Sequence, residues 1–246
     1  DHYRINGSKM WTSDATLCDY IFVLVRTSPE KPKHEGISLM LVDMRQPGVT
    51  VSPIQLISGA SPFCETHFSD AVVPLEDVIG GIDRGWTVGK RLLQFERSTH
   101  AGINISGSQG GRSEKSQMPA LVARYVSSQA GQLSDPALRR WLTEFEMNSH
   151  AQRITQRRAI EELSSRAPGF TSSAVKLTNA LNIQDGDELL VAAMGSQGLR
   201  WDPETADADE LAALQKWLYQ KSLTIAGGTK EVQLNIIAKR VLGLPD

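Results

Sequence analysis

Glu96, in the segment "LLQFER", is a charged residue beside an apolar stripe. Its neighbours at helical spacing include Leu92, Leu93 and Thr99. A carboxylate in an apolar environment has a raised pKa and can act as a base near neutral pH. Because charged residues on helices are mostly solvated, an exposed Glu96, or one paired with Arg97, is the alternative interpretation.

An aromatic ring and a hydroxyl occur close together in "KMWTSDA", residues 9–15. In a β-strand, Trp11 and Ser13 would lie on one face because side chains alternate with a period of two. Such a pair could stack against, and hydrogen-bond to, a flat heteroaromatic cofactor. The alternative is an ordinary strand with one buried tryptophan.

Two glycines interrupt the segment "TIAGGTKEVQ", residues 224–233. The sequence predicts that Thr229 caps a new helix with Glu231 in its first turn. Glycines before a helix let the backbone approach an anion or a flat cofactor closely. A binding loop, a catalytic loop and a hinge are all compatible with this pattern.

Other candidate sites have weaker patterns. The five histidines form neither HExxH nor CxxC…HxxxH spacing, so no metal site is expected. Alternation places Glu65 and His67 on the same face, away from Cys64, and no nucleophile motif surrounds them. The stretch "GINISGSQGG", residues 102–111, lacks GxGxxG spacing and therefore does not indicate a dinucleotide-binding fold.

The composition is that of an ordinary globular protein. The formal net charge is −2 and no Lys/Arg cluster stands out, which argues against a nucleic-acid-binding surface. No apolar run approaches the roughly 20 residues of a membrane span, and no secretory leader pattern is present. Cys18 and Cys64, without CxxC spacing, are typical of a reducing compartment, so we expect a cytoplasmic protein.

The hydrophobic period changes near residue 80, which predicts an α+β protein with domains at 1–80 and 81–246. In the first domain, Asn6-Gly7 predicts a β-hairpin, and closely spaced strands predict an antiparallel meander or small barrel. The further strands are expected at 20–28, 36–44, 49–56 and 65–74.

The second domain is predicted to be an up-down bundle of four or five long helices. Asp135 as a cap and Pro136 at the first position mark one helix start. The predicted helices span 86–106, 135–166, 170–195, 206–226 and 230–242.

Four segments together resemble the acyl-CoA dehydrogenase family. They are "INGSKMWTSDA", "FSDAVVPLEDVIGGIDRGW", "LLQFER" and "IAGGTKEVQLNIIAKRVLGLP". The resemblance implies a β-barrel-like middle domain and a C-terminal helical bundle with FAD bound between them. The N-terminal helical domain of the family is absent from this sequence.

The resemblance also implies roles for individual residues. Trp11 matches the tryptophan that packs against the isoalloxazine ring, and Ser13 matches a hydroxyl near the flavin N5 edge. Gly228 would lie against the thioester, and Gln94 and Arg97 would join it in binding substrate. The implied cofactor-binding residues are Trp11, Thr12, Ser13, Gly195, Thr229 and Glu231.

Many members of the family carry their catalytic Glu where this chain has Gly227. In isovaleryl-CoA-like and some long-chain-type members, the base lies on the first long helix, directly before an Arg. Glu96-Arg97 matches that arrangement. The resemblance therefore implies that Glu96 is the catalytic base.

Two motifs depart from the family pattern. The family's Arg-x-x-Phe is not visible in "YVSSQAGQLSDP", and its Gln-x-x-Gly-Gly is reduced to Ala192 followed by "AMGSQG", which keeps Gly195. Both elements usually bind the FAD of a neighbouring subunit. In this respect the chain resembles bacterial branches such as the pimeloyl-CoA dehydrogenase large subunits, some of which pair with a second, different subunit.

The implied activity is FAD-dependent α,β-dehydrogenation of an acyl-CoA thioester. The implied partners are an electron-transfer flavoprotein as acceptor and further subunits, in a homotetramer, a dimer or a heteromer. The alternatives are a weakly catalytic or non-catalytic subunit of a heteromeric enzyme, a flavin monooxygenase of the same fold and a non-enzymatic helical module.

Overall fold

A computed structural model describes residues 1–100, 116–129, 132–164 and 171–245. The chain divides into two compact units, Asp1–Phe95 and Glu96–Asp246, called here the β unit and the helical unit. The change of period predicted near residue 80 coincides with the end of the last strand of the β unit, at Ile79. The boundary between the two compact units lies further along the chain, between Phe95 and Glu96 in the first long helix.

Six strands form two three-stranded antiparallel sheets in the β unit. The strands are β1 (His2–Ser13), β2 (Tyr20–Arg26), β3 (Ile37–Asp43), β4 (Val49–Ile54), β5 (Phe63–Pro74) and β6 (Val78–Ile79). One sheet has the order β1-β5-β4 and the other β2-β3-β6. The predicted combination of an antiparallel β region followed by helices is confirmed.

The core of the β unit is apolar and follows the alternation of the strands. Along β5, Cys64, Thr66 and Phe68 are buried in turn, and the pattern resumes at Ala71 and Val73. The change of phase falls at Ser69-Asp70, where β5 has one extra residue opposite β1. Side chains from β1, β2, β3 and β5 make one cluster: Ile5, Val23, Met40, Val42, Phe68, Ala71 and Val73.

The predicted hairpin at Asn6-Gly7 is wrong. β1 continues through both residues as one strand paired with β5, and the register shifts between Ile5 and Gly7. Gly7 has a φ of 140°, and the Asn6 side chain bonds to Asp70 through both its amide nitrogen and its oxygen. Asn-Gly tolerates the unusual backbone of a β-bulge as well as that of a tight turn, and here pairing with a distant strand decides between the two.

The first long helix, α1 (Gly85–His100), begins against β3. A Cβ on Gly85 would lie 2.4 Å from the Ser38 backbone carbonyl carbon, so only glycine allows this approach. Just before the helix, Asp83 accepts hydrogen bonds from the Thr27 and Ser28 hydroxyls and pairs with Lys31 at 2.7 Å. These contacts, with the Lys31 hydrogen bond contributing most, lower the pKa of Asp83 to about 2.

Helices dominate the helical unit. They are α2 (Met118–Val122), α3 (Pro136–Ser164), α4 (Thr171–Met194), α5 (Ala208–Gln220) and α6 (Lys230–Ile236). Two very short strands, β7 (Ser128–Gln129) and β8 (Gln132–Leu133), precede α3. The predicted start of α3 is confirmed, because the Asp135 carboxylate accepts from the backbone N–H groups of Ala137 and Leu138. The predicted loop at 102–111 and the end of the helix predicted to reach residue 106 lie outside the described residues.

The described residues of the helical unit form two separate apolar clusters. One joins Ala159 of α3 to Val175 of α4, and the other includes Val122, Phe145 and Leu189. Buried polar residues accompany them, and among these Gln152, Lys176 and Gln233 donate hydrogen bonds to backbone carbonyls. Within the described ranges, no helix has the length and apolar character needed to cross a membrane.

Candidate functional site

Trp11 lies in a β-bulge near the end of β1. Lys9 pairs with Thr66 and Thr12 pairs with Cys64, so Met10 and Trp11 together stand opposite one residue of β5. The backbone at Trp11 has a φ of 65°, which is rare for a bulky residue and marks local strain. Trp11 is 57% exposed, although its ring touches Phe63 edge-on at a centroid distance of 6.0 Å. The alternative of a buried core tryptophan is therefore excluded.

The two residues after Trp11 differ in their contacts and exposure. The Thr12 hydroxyl donates to the Cys64 carbonyl at 2.9 Å and shares a 2.8 Å hydrogen bond with the Thr66 hydroxyl. Ser13, by contrast, is exposed. The bulge thus presents Trp11 and Ser13 to the outside while Thr12 anchors the strand to β5.

The glycine turn, defined as residues 225–229, connects a one-turn helix at Lys221–Thr224 to α6. Gly227 and Gly228 have φ values of 64° and 96°, a region that favours glycine. A Cβ on Gly228 would also come within 2.6 Å of the Gln233 side-chain nitrogen. No side chain therefore projects from the turn at either position, which leaves its backbone open to close approach.

Thr229 caps α6 as predicted. Its side-chain oxygen accepts from the backbone N–H of Val232 at 3.3 Å. Glu231, in the first turn, has a lowered pKa because its carboxylate accepts from its own backbone N–H and from the Thr229 hydroxyl. Both side chains are engaged in starting the helix, and their predicted contacts with a cofactor stay a prediction.

The catalytic candidate lies near the C-terminal end of α1. Glu96 is half-buried, which is consistent with the predicted border of an apolar stripe. Gln94 and Arg97 lie within one helical turn of it on the same helix, and their side chains lie outside the described part. Their roles in binding substrate stay a prediction.

Gly195 follows the last residue of α4 and opens a one-turn helix, Gly195–Leu199. Its φ is 57°, and no atom lies within 4 Å of the position that a Cβ would take. The backbone conformation, and not crowding, therefore calls for glycine here.

Two buried polar residues that sequence reasoning missed hold the glycine turn in place. Lys176 on α4 donates to the Gly228 carbonyl at 2.6 Å, and Gln233 on α6 donates to the Gly227 carbonyl at 3.3 Å. One signal for Lys176 was available, since it is the only Lys or Arg in the α4 sequence. For Gln233 the sequence offered no comparable signal.

Two grooves in the described part of the chain are lined by other residues. One of about 590 Å³ runs along α3 and α4, with polar side chains such as Asn148, Gln152 and Asp185. The other, of about 400 Å³, opens between β1 and β2, where Lys9 donates to the Leu24 carbonyl at 3.0 Å. None of the predicted site residues lines either groove. Among the residues placed by the structure, no group of three His, Cys, Asp or Glu side chains could hold a metal ion.

Comparisons with known proteins agree with the residue patterns. The family profile of the acyl-CoA dehydrogenase middle domain matches residues 1–71, and that of the acyl-CoA dehydrogenase C-terminal domain matches residues 83–242. The acyl-CoA dehydrogenase IpdE1 of Mycobacterium tuberculosis is 35% identical over 246 residues. That alignment covers 100% of this chain and 60% of IpdE1, so the chain spans little more than half of this curated relative.

Solved structures show the same fold. A structure described as the Tcur3481-Tcur3483 steroid ACAD superposes with a TM-score of 0.81 at 30% identity, covering 100% of this chain and 62% of that chain. The ChsE4-ChsE5 complex from Mycobacterium tuberculosis gives a TM-score of 0.76 at 25% identity, again covering 100% of this chain and 62% of that chain. Profile matches along most of the sequence, the identity to IpdE1 and the fold agree, and this chain therefore belongs to the acyl-CoA dehydrogenase family.

Proposed function

We propose that this chain supplies the catalytic base and part of the FAD site of an acyl-CoA dehydrogenase, which converts an acyl-CoA thioester to the 2-enoyl-CoA. The observation that carries the proposal is the position of the carboxylate. In a chain of this family, a half-buried Glu96 precedes Arg97 on α1, while Gly227 occupies the turn where many members have their Glu. This chain covers only 60% of the length of IpdE1. The activity is therefore proposed for the whole protein and not for this chain alone.

Each unit, taken by itself, carries residues that fit a flat aromatic cofactor. The β unit offers an exposed indole at Trp11 and an exposed hydroxyl at Ser13, and the helical unit offers a turn without side chains at Gly227 and Gly228. Since the Thr12 hydroxyl is bound within the sheet, we expect Thr12 to contribute through its backbone. FAD held by these residues would supply the redox chemistry, the uptake at its N5 atom of the hydride that leaves the substrate β-carbon.

Glu96 would take the proton from the substrate α-carbon. Removal of that proton leaves negative charge on the thioester carbonyl oxygen, and hydrogen-bond donors aimed at this oxygen lower the barrier. Gly228 would lie against the thioester, and Gln94 and Arg97 would help to orient it. A half-buried Glu96 can still be reached by a substrate, as a general base must be.

We also propose the partners. They are an acyl-CoA substrate, an electron-transfer flavoprotein as acceptor, and further subunits in a homotetramer, a dimer or a heteromer. Acyl-CoA thioesters with a bulky, polycyclic acyl group should be tested first, because one solved relative is described as a steroid ACAD.

A second candidate function is a weakly catalytic or non-catalytic subunit of a heteromeric enzyme. Two observations favour it: the family's Gln-x-x-Gly-Gly is reduced to "AMGSQG" around Gly195, and both solved relatives carry the names of two proteins. In that case, a partner chain would supply residues that this chain lacks.

Anaerobic titration of the intact, full-length protein would test the proposed function. Flavin absorption is followed while straight-chain, branched, dicarboxylic and polycyclic acyl-CoA thioesters are added to wild type, Glu96→Gln and Glu161→Gln. Glu161 is an exposed residue of α3 and serves as the matched control. We expect bleaching in wild type and Glu161→Gln, and bleaching slower by about 10²–10⁴-fold in Glu96→Gln.

Two other results would contradict the proposal. Equal bleaching in all three proteins would remove Glu96 from the role of base. Flavin that appears only when a second, different chain is co-expressed and supplies the base would favour the heteromeric subunit.

A further inference from the structure

Lys176 is a buried cation in the middle of the helical unit. It lies on α4 with only 4% of its surface exposed, and no carboxylate among the described residues forms an ion pair with it. Burial lowers the pKa of its ammonium group. A lysine in this environment needs strong hydrogen-bond acceptors, because an ammonium group without them is costly to bury.

The acceptors of Lys176 are two backbone carbonyls, one located two residues before the glycine turn and one within it. Its Nζ donates to the Leu223 carbonyl at 3.2 Å and to the Gly228 carbonyl at 2.6 Å. Gln233, with 1% of its surface exposed, donates to the Gly227 carbonyl between them at 3.3 Å. Two side chains thus bind three carbonyls within six consecutive residues.

These hydrogen bonds fix the orientation of the peptide groups in the turn. In a trans peptide the C=O and N–H point in opposite directions. When the carbonyls of Gly227 and Gly228 point toward Gln233 and Lys176, the N–H groups of Gly228 and Thr229 must point away from them. The two buried side chains therefore determine which polar groups the turn presents on its other side.

We propose that Lys176 and Gln233 are positioning residues that hold the glycine turn in the conformation in which it binds the thioester. This inference rests on the proposed function, in which Gly228 lies against the substrate. Positioning of this kind matters because a displacement of about 1 Å far from the chemistry can lower a rate by about 10²-fold.

If Lys176 served only to fill space in the helical unit, replacing it with methionine would leave the glycine turn and the flavin reduction rate unchanged. Methionine has a similar length and would fill the same space without the desolvation of an ammonium group. Lys176→Met therefore removes the two hydrogen bonds and keeps most of the packing. Val175→Ala is the matched control, because Val175 is the adjacent, fully buried residue of α4 and its side chain packs against Ala159 of α3.

The experiment combines hydrogen–deuterium exchange with flavin reduction in the intact protein. Exchange is read from a peptide covering residues 223–233, in which the N–H groups of Ile225, Ala226 and Gln233 are hydrogen-bonded. We expect exchange of this peptide in Lys176→Met to be faster than in wild type by about tenfold. A tenfold change corresponds to the net free energy of about one hydrogen bond. We expect the rate of flavin reduction at saturating thioester to fall by about 10–100-fold. Val175→Ala should lower the thermal midpoint while changing both readouts less than about twofold.

Three results would overturn the inference. They are unchanged exchange in Lys176→Met, faster exchange without slower flavin reduction, and equal changes in Val175→Ala. If wild type does not react with any thioester, the proposed function fails, and exchange of the peptide then decides by itself whether Lys176 holds the turn.

Discussion

In the β unit, Trp11 is presented by a bulge between two paired strands, whereas in the helical unit the glycine turn depends on side chains from α4 and α6. The β unit rests on one continuous apolar cluster that includes Met40 and Val42, both without exposed surface. The helical unit combines two smaller apolar clusters with buried polar residues such as Lys176 and Gln233.

The two kinds of interaction have different consequences: one stabilises a unit, and the other fixes the conformation of a particular turn. Apolar burial is nondirectional and roughly proportional to area, so it stabilises a unit without fixing one loop. Hydrogen bonds from Lys176 and Gln233 are directional, so they define the shape of a particular turn while adding less to stability. Substitutions in the β core should therefore act mainly on unfolding, and those around the turn mainly on function.

The largest effect on stability is expected from Met40→Ala. Met40 is fully buried on β3, and truncation leaves a cavity, so the free energy of unfolding should fall by about 2–5 kcal/mol. Met147→Ala, at a position 67% exposed on α3, is the same change without burial and should stay within about 0.5 kcal/mol of wild type. Denaturant unfolding of the intact protein measures both. Similar losses in the two variants would show that the β core is not the stabilising element described above.

A smaller loss is expected from Gly228→Ala. The positive φ of Gly228 and the close approach to Gln233 should together cost about 2–3 kcal/mol. Gly195→Ala has the same kind of backbone strain and no crowding, so it should cost only about 1 kcal/mol. Thermal unfolding of the pair at one protein concentration distinguishes them. Equal losses would mean that Gln233 does not lie against the turn.

The Asp83 network should make the β unit sensitive to acid. The pKa of Asp83 falls from 3.8 to about 2 on folding, so its contribution to stability is present above about pH 4 and is lost as the pH falls toward 2. Asp83→Asn keeps a residue that tolerates the φ of 61° and removes the charge. The difference in thermal midpoint between wild type and variant should shrink between pH 4 and pH 2. A difference that stays constant over this range would show that the ionised Asp83 carboxylate does not stabilise the β unit.

The smallest effect is expected from Asp187→Asn in α4. Burial raises the pKa of Asp187, and only one carboxylate oxygen is paired, with Lys216 at 3.0 Å. Burial therefore disfavours the ionised carboxylate in the folded protein, so the contribution of Asp187 to stability is present at low pH, where the carboxyl is protonated, and is lost as the pH rises through the folded pKa. Since Lys216 is 59% exposed, it can be solvated by water after the change, and stability at pH 7 should shift by less than about 0.5 kcal/mol. A loss of several kcal/mol in denaturant unfolding would show that the ion pair is essential.

Much of the fold could be predicted because local patterns decide it. Alternation along β5, the Asp135 cap of α3 and the Thr229 cap of α6 depend on residues close together in sequence. The bulges at Ser69-Asp70, opposite Asn6, and at Trp11 could not be predicted in this way, because they arise from the register between β1 and β5, more than fifty residues apart.

The candidate site divides along the same line. Residue types and the family pattern pointed to Trp11, Glu96 and the glycine turn. The contacts that support that turn could not be predicted, although Lys176 stands out as the one Lys or Arg of α4, since it reaches carbonyls that lie 47 and 52 residues away in the chain. Such contacts depend on how helices pack, which a single sequence does not encode in any local pattern.

The assignment of Glu96 as the base is the central claim, and α-proton exchange tests it most directly. The probe is an acyl-CoA whose β-carbon carries no hydrogen, such as 3,3-dimethylbutanoyl-CoA, so that no hydride can leave and only proton removal is observed. The intact flavin-containing protein is incubated with the probe in D₂O, and deuterium at the α-carbon is measured by mass spectrometry. We predict exchange with wild type and Glu161→Gln, and exchange slower by about 10²–10⁴-fold with Glu96→Gln. Exchange at the wild-type rate in Glu96→Gln, with flavin retained, would contradict the assignment.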